Sequence, residues 1–157
     1  MASLTEFRIP LATPDQTEAL GHALAPALTP GDVLLLTGSL GAGKSALARA
    51  IIQARLGRAE DVPSPTFTLV QTYEAPGGDL WHADLYRLTH PDEVIELGLE
   101  DAFTSAICLI EWPDRLGRLA PQDAVHVALS LKGEGREATF AFTGRPGLAE
   151  VLRSFTP

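Results

Sequence analysis

The stretch Gly38-Ser39-Leu40-Gly41-Ala42-Gly43-Lys44-Ser45 decides how the rest of this 157-residue chain is read. Before it runs Asp32-Val33-Leu34-Leu35-Leu36-Thr37, a short apolar run of the kind that forms a strand buried on both faces. After it comes Ala46-Leu47-Ala48-Arg49-Ala50-Ile51-Ile52, rich in helix formers. A strand, then G-x-x-x-x-G-K-S, then a helix is the context in which a glycine-rich turn becomes a phosphate-binding loop. Glycine adopts positive φ without steric cost, so the backbone bends with its N–H groups pointing inward. Those donors and the N-terminal end of the helix form a concave anion site. Residues 38–46, from Gly38 to Ala46, are the expected nucleotide contacts. Lys44 is expected at the β- and γ-phosphates and the Ser45 hydroxyl on Mg²⁺. The alternative is a glycine-rich turn before an ordinary helix, and the two correct flanks argue against it.

The length suits one domain, residues 1–157, able to bury about two thirds of its unfolded surface. Hydrophobic content of 45% with 20% charged residues is ordinary for a soluble globular protein. No apolar run approaches the ~20 residues that span a membrane. Nor does the N-terminus pair a basic region with an apolar one as a secretion signal does. Cys108 is the single cysteine, which excludes an internal disulfide and a cysteine-based metal cluster. The expected compartment is the cytoplasm. The formal net charge is -8, with 20 acidic against 12 basic residues. Tight autonomous binding of nucleic acid relies on several phosphate-neutralising cations, and no basic cluster interleaved with aromatics is present. Any contact with RNA is expected to be shared with a partner.

Along the chain, Glu6 to Ile9 reads as a first strand. Thr13-Pro14-Asp15-Gln16 reads as a helix start, with Thr as N-cap and Pro at the first helical position. Gly57 closes the helix after the loop. Thr68 to Glu74 and Asp79 to Tyr86 form a hairpin about Ala75-Pro76-Gly77-Gly78. Pro91 to Leu97 is a helix ending at Gly98. Ala106-Ile107-Cys108-Leu109-Ile110 is a second continuously apolar strand, closed by Glu111-Trp112-Pro113. A short helix through Leu116 and Leu119 follows. Val125, Val127, Leu129 and Leu131 alternate with polar or small residues in a half-buried strand, which turns at Gly133-Glu134-Gly135 into Arg136 to Thr143. A helix from Leu148 to Phe155 closes the chain. Two buried strands imply an α/β fold of P-loop NTPase-like, three-layer type: central parallel strands flanked by antiparallel strands and hairpins. Ligands of such sheets bind beyond the carboxyl ends of the strands, where the loop and Glu111 both lie.

Glu111 is the expected Mg²⁺-holding or water-orienting acid, since acids closing a buried strand in P-loop proteins take that role. The alternative is a solvated strand-end carboxylate. Asp84, in His82-Ala83-Asp84-Leu85-Tyr86-Arg87, is a candidate to polarise the attacking water, against a local ion pair with Arg87. Lys44, Asp84 and Glu111 make up the expected catalytic set. His82 reads as structural. Arg87 is a candidate for stabilising phosphoryl charge. Thr66, in Ser64-Pro65-Thr66-Phe67, sits where switch proteins sense the γ-phosphate, against a rigid connection with no switching. Trp112 covers the site, stacks on a partner, or fills a core edge. Cys108 reads as a buried small hydrophobe. Guanine-specific P-loop proteins recognise their base with an Asn/Thr-Lys-x-Asp segment. The one lysine outside the loop, Lys132, is followed by Gly133-Glu134, so ATP is the expected nucleotide.

The collected stretches resemble the TsaE (YjeE) family. The resemblance rests on the phosphate loop, Ser64-Pro65-Thr66-Phe67-Thr68-Leu69-Val70, His82-Ala83-Asp84-Leu85-Tyr86-Arg87-Leu88 and Ile110-Glu111-Trp112-Pro113. These span residues 31–115, and no motif is matched beyond about Pro121. The resemblance implies a Mg²⁺-dependent ATPase, weak by itself, working with TsaB and TsaD in threonylcarbamoyladenosine modification of tRNA and contacting tRNA only through that complex. It further implies that Lys44 and Ser45 bind phosphate and Mg²⁺, that Glu111 holds the metal, and that Asp84 and Thr66 complete the site. Ser45 stands where many relatives carry Thr, with the same hydroxyl. Two competing readings remain: a small-molecule phosphotransferase, though no Arg-rich lid insertion is visible, and a module that senses ATP without hydrolysing it.

Overall fold

The computed structural model describes residues 4–39, 41–57, 62, 69–90 and 92–157. Seven strands form one mixed sheet: β1 Leu4–Leu11, β2 Val33–Thr37, β3 Val70–Tyr73, β4 Leu80–Asp84, β5 Ile107–Glu111, β6 Val125–Lys132 and β7 Gly135–Thr143. Among the described residues five α-helices accompany them: α1 Pro14–Leu24, α2 Lys44–Leu56, α3 Glu93–Leu97, α4 Leu99–Ser105 and α5 Pro146–Ser154. The strand order is β1-β7-β6-β2-β5-β4-β3. β6, β2, β5 and β4 run parallel in the middle. β7 pairs antiparallel with β6 and β1, and β3 pairs antiparallel with β4.

The α/β class and the parallel centre are as expected from the two apolar runs. The hairpins differ in one respect. Rather than lying wholly at the edges, each places one strand in the parallel set, because β4 registers with β5 (Asp84 opposite Glu111) and β6 with β2 (Leu36 opposite Val127).

The sheet separates two apolar layers. In β2, Leu34 and Leu36 face α1 and α2 with Leu47, Ile51 and Leu20, while Val33 and Leu35 face α3 and α4 with Val94, Leu99 and Phe103. β5 alternates likewise, with Ile107 and Leu109 toward α2 and Cys108 and Ile110 away from it. Alternation is a consequence of the two-residue strand period. It places the next residue, Glu111, on the α2 side.

Local signals behave much as the residues suggest. The Thr13 hydroxyl accepts from the Gln16 N–H at 3.3 Å, and the Gln16 side chain accepts from Ala12, one residue earlier than a standard capping box. α2 closes at Gly57. Beyond Gly98, a second short helix, α4, follows at once. Its buried residues Leu99, Ala102 and Phe103 fall at helical spacing, but seven residues are too few for that period to stand out in sequence. The segment after Trp112 forms 3-10 turns over Pro113–Leu119 with a kink at Gly117. In β6, Val125, Val127 and Leu129 are buried and His126, Ala128 and Ser130 exposed, as expected, but Leu131, expected on the buried side, is exposed at the hairpin end of the strand. No helix among the described residues is long and apolar enough to cross a membrane.

Candidate functional site

β2 ends at Thr37, and the chain turns through Gly38 into α2, whose N-cap is Gly43. Gly43 has φ 103°, left-handed backbone that a side chain would strain. Gly38 has φ 142°, and a Cβ there would strike the Leu129 carbonyl of β6. The loop therefore lies against the sheet as only glycine permits. Among the described residues no side chain caps α2, and its first turn holds no acid.

Lys44 begins α2 and is 5% exposed. Its ammonium donates to the carbonyls of Gly38 and Ser39, the latter at 3.0 Å. It also lies 4.3 Å from the centre of the Trp112 ring, a cation–π contact. Burial pulls the Lys44 ammonium below its ordinary value, and Glu111 and then Asp84 pull it partly back.

Ser45, the next residue, faces the end of β5. Its hydroxyl donates to Glu111 at 2.8 Å (Oε1) and 3.0 Å (Oε2). A hydroxyl has one hydrogen and two lone pairs. With the hydrogen directed at Glu111, its lone pairs are left for a cation. Glu111 is 2% exposed, and its Oε2 lies 2.7 Å from Nε2 of His82, itself fully buried. Among the described residues Nδ1 of His82 has no partner. The Nε2–H tautomer is assigned from this pattern, because it leaves an unpaired acceptor rather than an unpaired donor and lets the ring donate to the carboxylate. A buried polar atom left unpaired costs ~1–3 kcal/mol.

Asp84 closes β4 beside Glu111. Its Oδ1 accepts from the Tyr86 N–H at 3.1 Å, a turn that ends the strand two residues short of the expected boundary. Burial raises the Asp84 carboxyl above its ordinary value; the Tyr86 N–H opposes this, Glu111 adds to it, and His82 and Lys44 lower it. Burial likewise pushes the Cys108 thiol up to about 12, which leaves it an unreactive core side chain.

Lys44, Ser45, Asp84 and Glu111 line one cavity of about 530 Å³, with further walls from Gly41, Gly43, Ala46, Arg87 and Trp112; His82 lies behind Glu111, outside the lining. Most of the sequence-derived candidates thus converge. Trp112 is a wall residue with φ 58°, a strained backbone held by its ring contacts with Lys44 and with Tyr86, 5.0 Å between ring centres. Leu40, Thr66 and the rest of Ser64 to Phe67 lie outside the described residues.

Three further residues belong here. Arg49, one turn after Ser45, and Tyr86 line the cavity. Arg136, at the start of β7, donates to the Gly41 carbonyl at 2.8 Å (Nη2) and 3.3 Å (Nε) and packs against Gly43. It lies 95 residues from Gly41 in a chain with ten arginines, so no local signal marks it.

The donor set suits a small hard cation. Ser45 and Glu111 offer only oxygen, and among the described residues no group of three or more His, Cys, Asp or Glu is placed to hold a metal. Mg²⁺ takes few protein ligands and fills its shell with phosphate oxygens and water, so these residues fit it.

A solved structure carries the same architecture. That of Bacillus subtilis YdiB has a TM-score of 0.77 and 30% identity, covering 98% of this chain and 96% of that one. The fold is P-loop NTPase-like. The model of the family "Threonylcarbamoyl adenosine biosynthesis protein TsaE" matches residues 11–138. The tRNA threonylcarbamoyladenosine biosynthesis protein TsaE of Rickettsia bellii is 40% identical over 121 residues, 77% of this chain and 84% of that protein. Its counterpart from Bacillus subtilis is 36% identical over 133 residues, 83% of this chain and 82% of that protein. The chain belongs to the TsaE family of threonylcarbamoyladenosine biosynthesis proteins. The match extends past the motif-bearing residues 31–115 and takes in β6.

Proposed function

We propose that this protein binds Mg²⁺·ATP at the cavity and hydrolyses it, and that hydrolysis drives or regulates a TsaB–TsaD complex modifying tRNA. The observation that carries the reading is the Ser45–Glu111 contact, 2.8 Å, beside an uncapped helix N-terminus. It joins a phosphate cradle to an oxygen site for a cation.

In this reading the N–H groups of the loop and of α2 hold the phosphates. Lys44 exchanges its carbonyl partners for phosphate oxygens and offsets charge that develops on transfer. Ser45 and Glu111 would hold Mg²⁺, and the ion would supply charge neutralisation to the phosphates. Asp84, whose raised proton affinity suits a base, orients water and takes its proton. Arg87 and Trp112 form part of the cavity wall. The net charge of -8 supports an action on tRNA through partners rather than alone.

The test follows γ-labelled ATP in single turnover, with and without purified TsaB and TsaD. Slow phosphate release alone, stimulation by the partners, and loss of both in Glu111→Ala are expected. Transfer of label to a metabolite instead of water would establish a phosphotransferase. Tight ATP binding without turnover in either condition would establish a sensor.

A further inference from the structure

His82 reads from sequence as a structural histidine, yet it is a poor choice for packing alone. Its ring is fully buried in β4, on the same side of the sheet as Leu80, and among the described residues Nδ1 finds no hydrogen bond. An aliphatic side chain would fill the place without an orphaned nitrogen. What the imidazole adds is one donor, Nε2–H, 2.7 Å from Oε2 of Glu111.

That donor settles an ambiguity that Ser45 leaves. The serine hydroxyl sits at 2.8 and 3.0 Å from the two carboxylate oxygens, so it does not by itself choose between them or fix the carboxylate plane. The imidazole binds Oε2 alone and leaves Oε1 as the closer acceptor for Ser45. We propose that His82 is a positioning residue for the cation end of the site: its Nε2–H locks the Glu111 carboxylate so that Glu111 takes the Ser45 hydrogen and the Ser45 lone pairs face Mg²⁺. The inference rests on the Mg²⁺·ATP reading. Partners that orient a ligating carboxylate from behind commonly change metal affinity 10–100-fold when removed.

The experiment uses the full-length protein and three variants. His82→Leu removes the donor at similar volume. His82→Gln returns an N–H near the Nε2 position, and His82→Asn offers one too short to reach Glu111. Melting is recorded without nucleotide or metal. Binding of a fluorescent ATP analogue is titrated against MgCl₂ from an EDTA baseline. Expected for His82→Leu are a melting temperature near wild type, since the lost bond to Glu111 and the removed unpaired Nδ1 offset each other, unchanged binding in EDTA, and a Mg²⁺ half-saturation raised ~10–100-fold. His82→Gln recovers most of the affinity and His82→Asn does not. Wild-type Mg²⁺ dependence in His82→Leu would overturn the proposal. If that variant does not fold, equal behaviour of His82→Gln and His82→Asn overturns it instead. A wild type whose binding ignores Mg²⁺ refutes the Mg²⁺·ATP reading itself, a result separate from either of these.

Discussion

Glu111→Gln separates the charge of the β5 carboxylate from its shape. In the native site the carboxylate accepts from Ser45 at 2.8 Å and from His82 at 2.7 Å. The amide keeps both contacts: its oxygen accepts from His82 Nε2–H and its NH₂ donates to Ser45. Bonds to a charged group contribute ~1.5–3 kcal/mol each and neutral ones ~0.5–1.5, so the exchange weakens the pair by ~2–3 kcal/mol. Against this, a buried charge no longer has to be desolvated, and its repulsion of Asp84 disappears. The two largely cancel, and the net stability change is within ~1 kcal/mol, about 2–4 °C in melting temperature for a chain of this size. Glu111→Ala differs, because it strands the His82 and Ser45 donors at ~1–3 kcal/mol each. Its loss is ~2–6 kcal/mol. Function follows another rule. In Glu111→Gln the Ser45 lone pair accepts from the new amide and the cation site has lost its charge, so Mg²⁺-dependent nucleotide affinity falls ~100-fold or more, ~2.7 kcal/mol. Calorimetric melting of both variants, with nucleotide titrations in Mg²⁺ and in EDTA, makes the comparison. Glu111→Gln melting as low as Glu111→Ala, or binding Mg²⁺·nucleotide as wild type does, would refute the reasoning.

Asp84→Asn should stabilise the nucleotide-free fold at neutral pH. A carboxyl raised in the folded state contributes stability below its ordinary value near 3.8, and loses it as pH rises through the raised value. The variant's advantage should therefore shrink as pH falls toward 4; a constant difference across pH would contradict the assignment. Gly38→Ala must both strain a φ of 142° and push into the Leu129 carbonyl, together ~3 kcal/mol or more, read from the urea midpoint. A loss under 1 kcal/mol would show that the loop can move off β6. Arg136→Ala removes two donors from the Gly41 carbonyl, and nucleotide affinity by titration calorimetry should drop about fivefold to tenfold with little change in melting. Unchanged affinity would mean that the β7 contact does not shape the loop.

What the residues disclose in order and what only folding discloses can be separated here. Val33 to Leu36 and Ile107 to Ile110 are apolar at every position, because both faces of a parallel strand are covered, and their meaning is plain in one dimension. Lys44, Ser45 and Glu111 follow from the same runs, since each stands where such a strand or its following helix meets the loop. The short helix Leu99–Ser105 hides because seven residues behind a glycine terminator carry too little of the helical period. His82 and Arg136 hide for a different reason. Each acts on one partner distant in sequence, 29 and 95 residues away, and nothing beside either residue in the chain shows what that partner is. Asp84 was recognisable as a candidate; its altered proton affinity comes from burial and from the charges that β5 and α2 bring beside it.

The placement of β5 makes these groups one site. In the chain, the phosphate loop precedes the β4 histidine and aspartate, and Glu111 comes last. In the sheet, β5 lies between β2 and β4, so Glu111 has the loop on one side and Asp84 on the other. Parallel pairing brings the carboxyl ends of all three strands to one edge. Parity then selects the face: Leu80, His82 and Asp84 share one side of β4, and Ile107, Leu109 and Glu111 share the same side of β5. The apolar members of each set pack under α2, and this anchors the polar members beneath its N-terminus. A slip of one residue in β5 would turn Ile107 and Leu109 away from the α2 core and carry Glu111 to the opposite face. The core that stabilises the sheet therefore also fixes the direction of its acids, and the contact between Ser45 and Glu111 is as well determined as the packing of Leu34 and Leu36 that lies behind it.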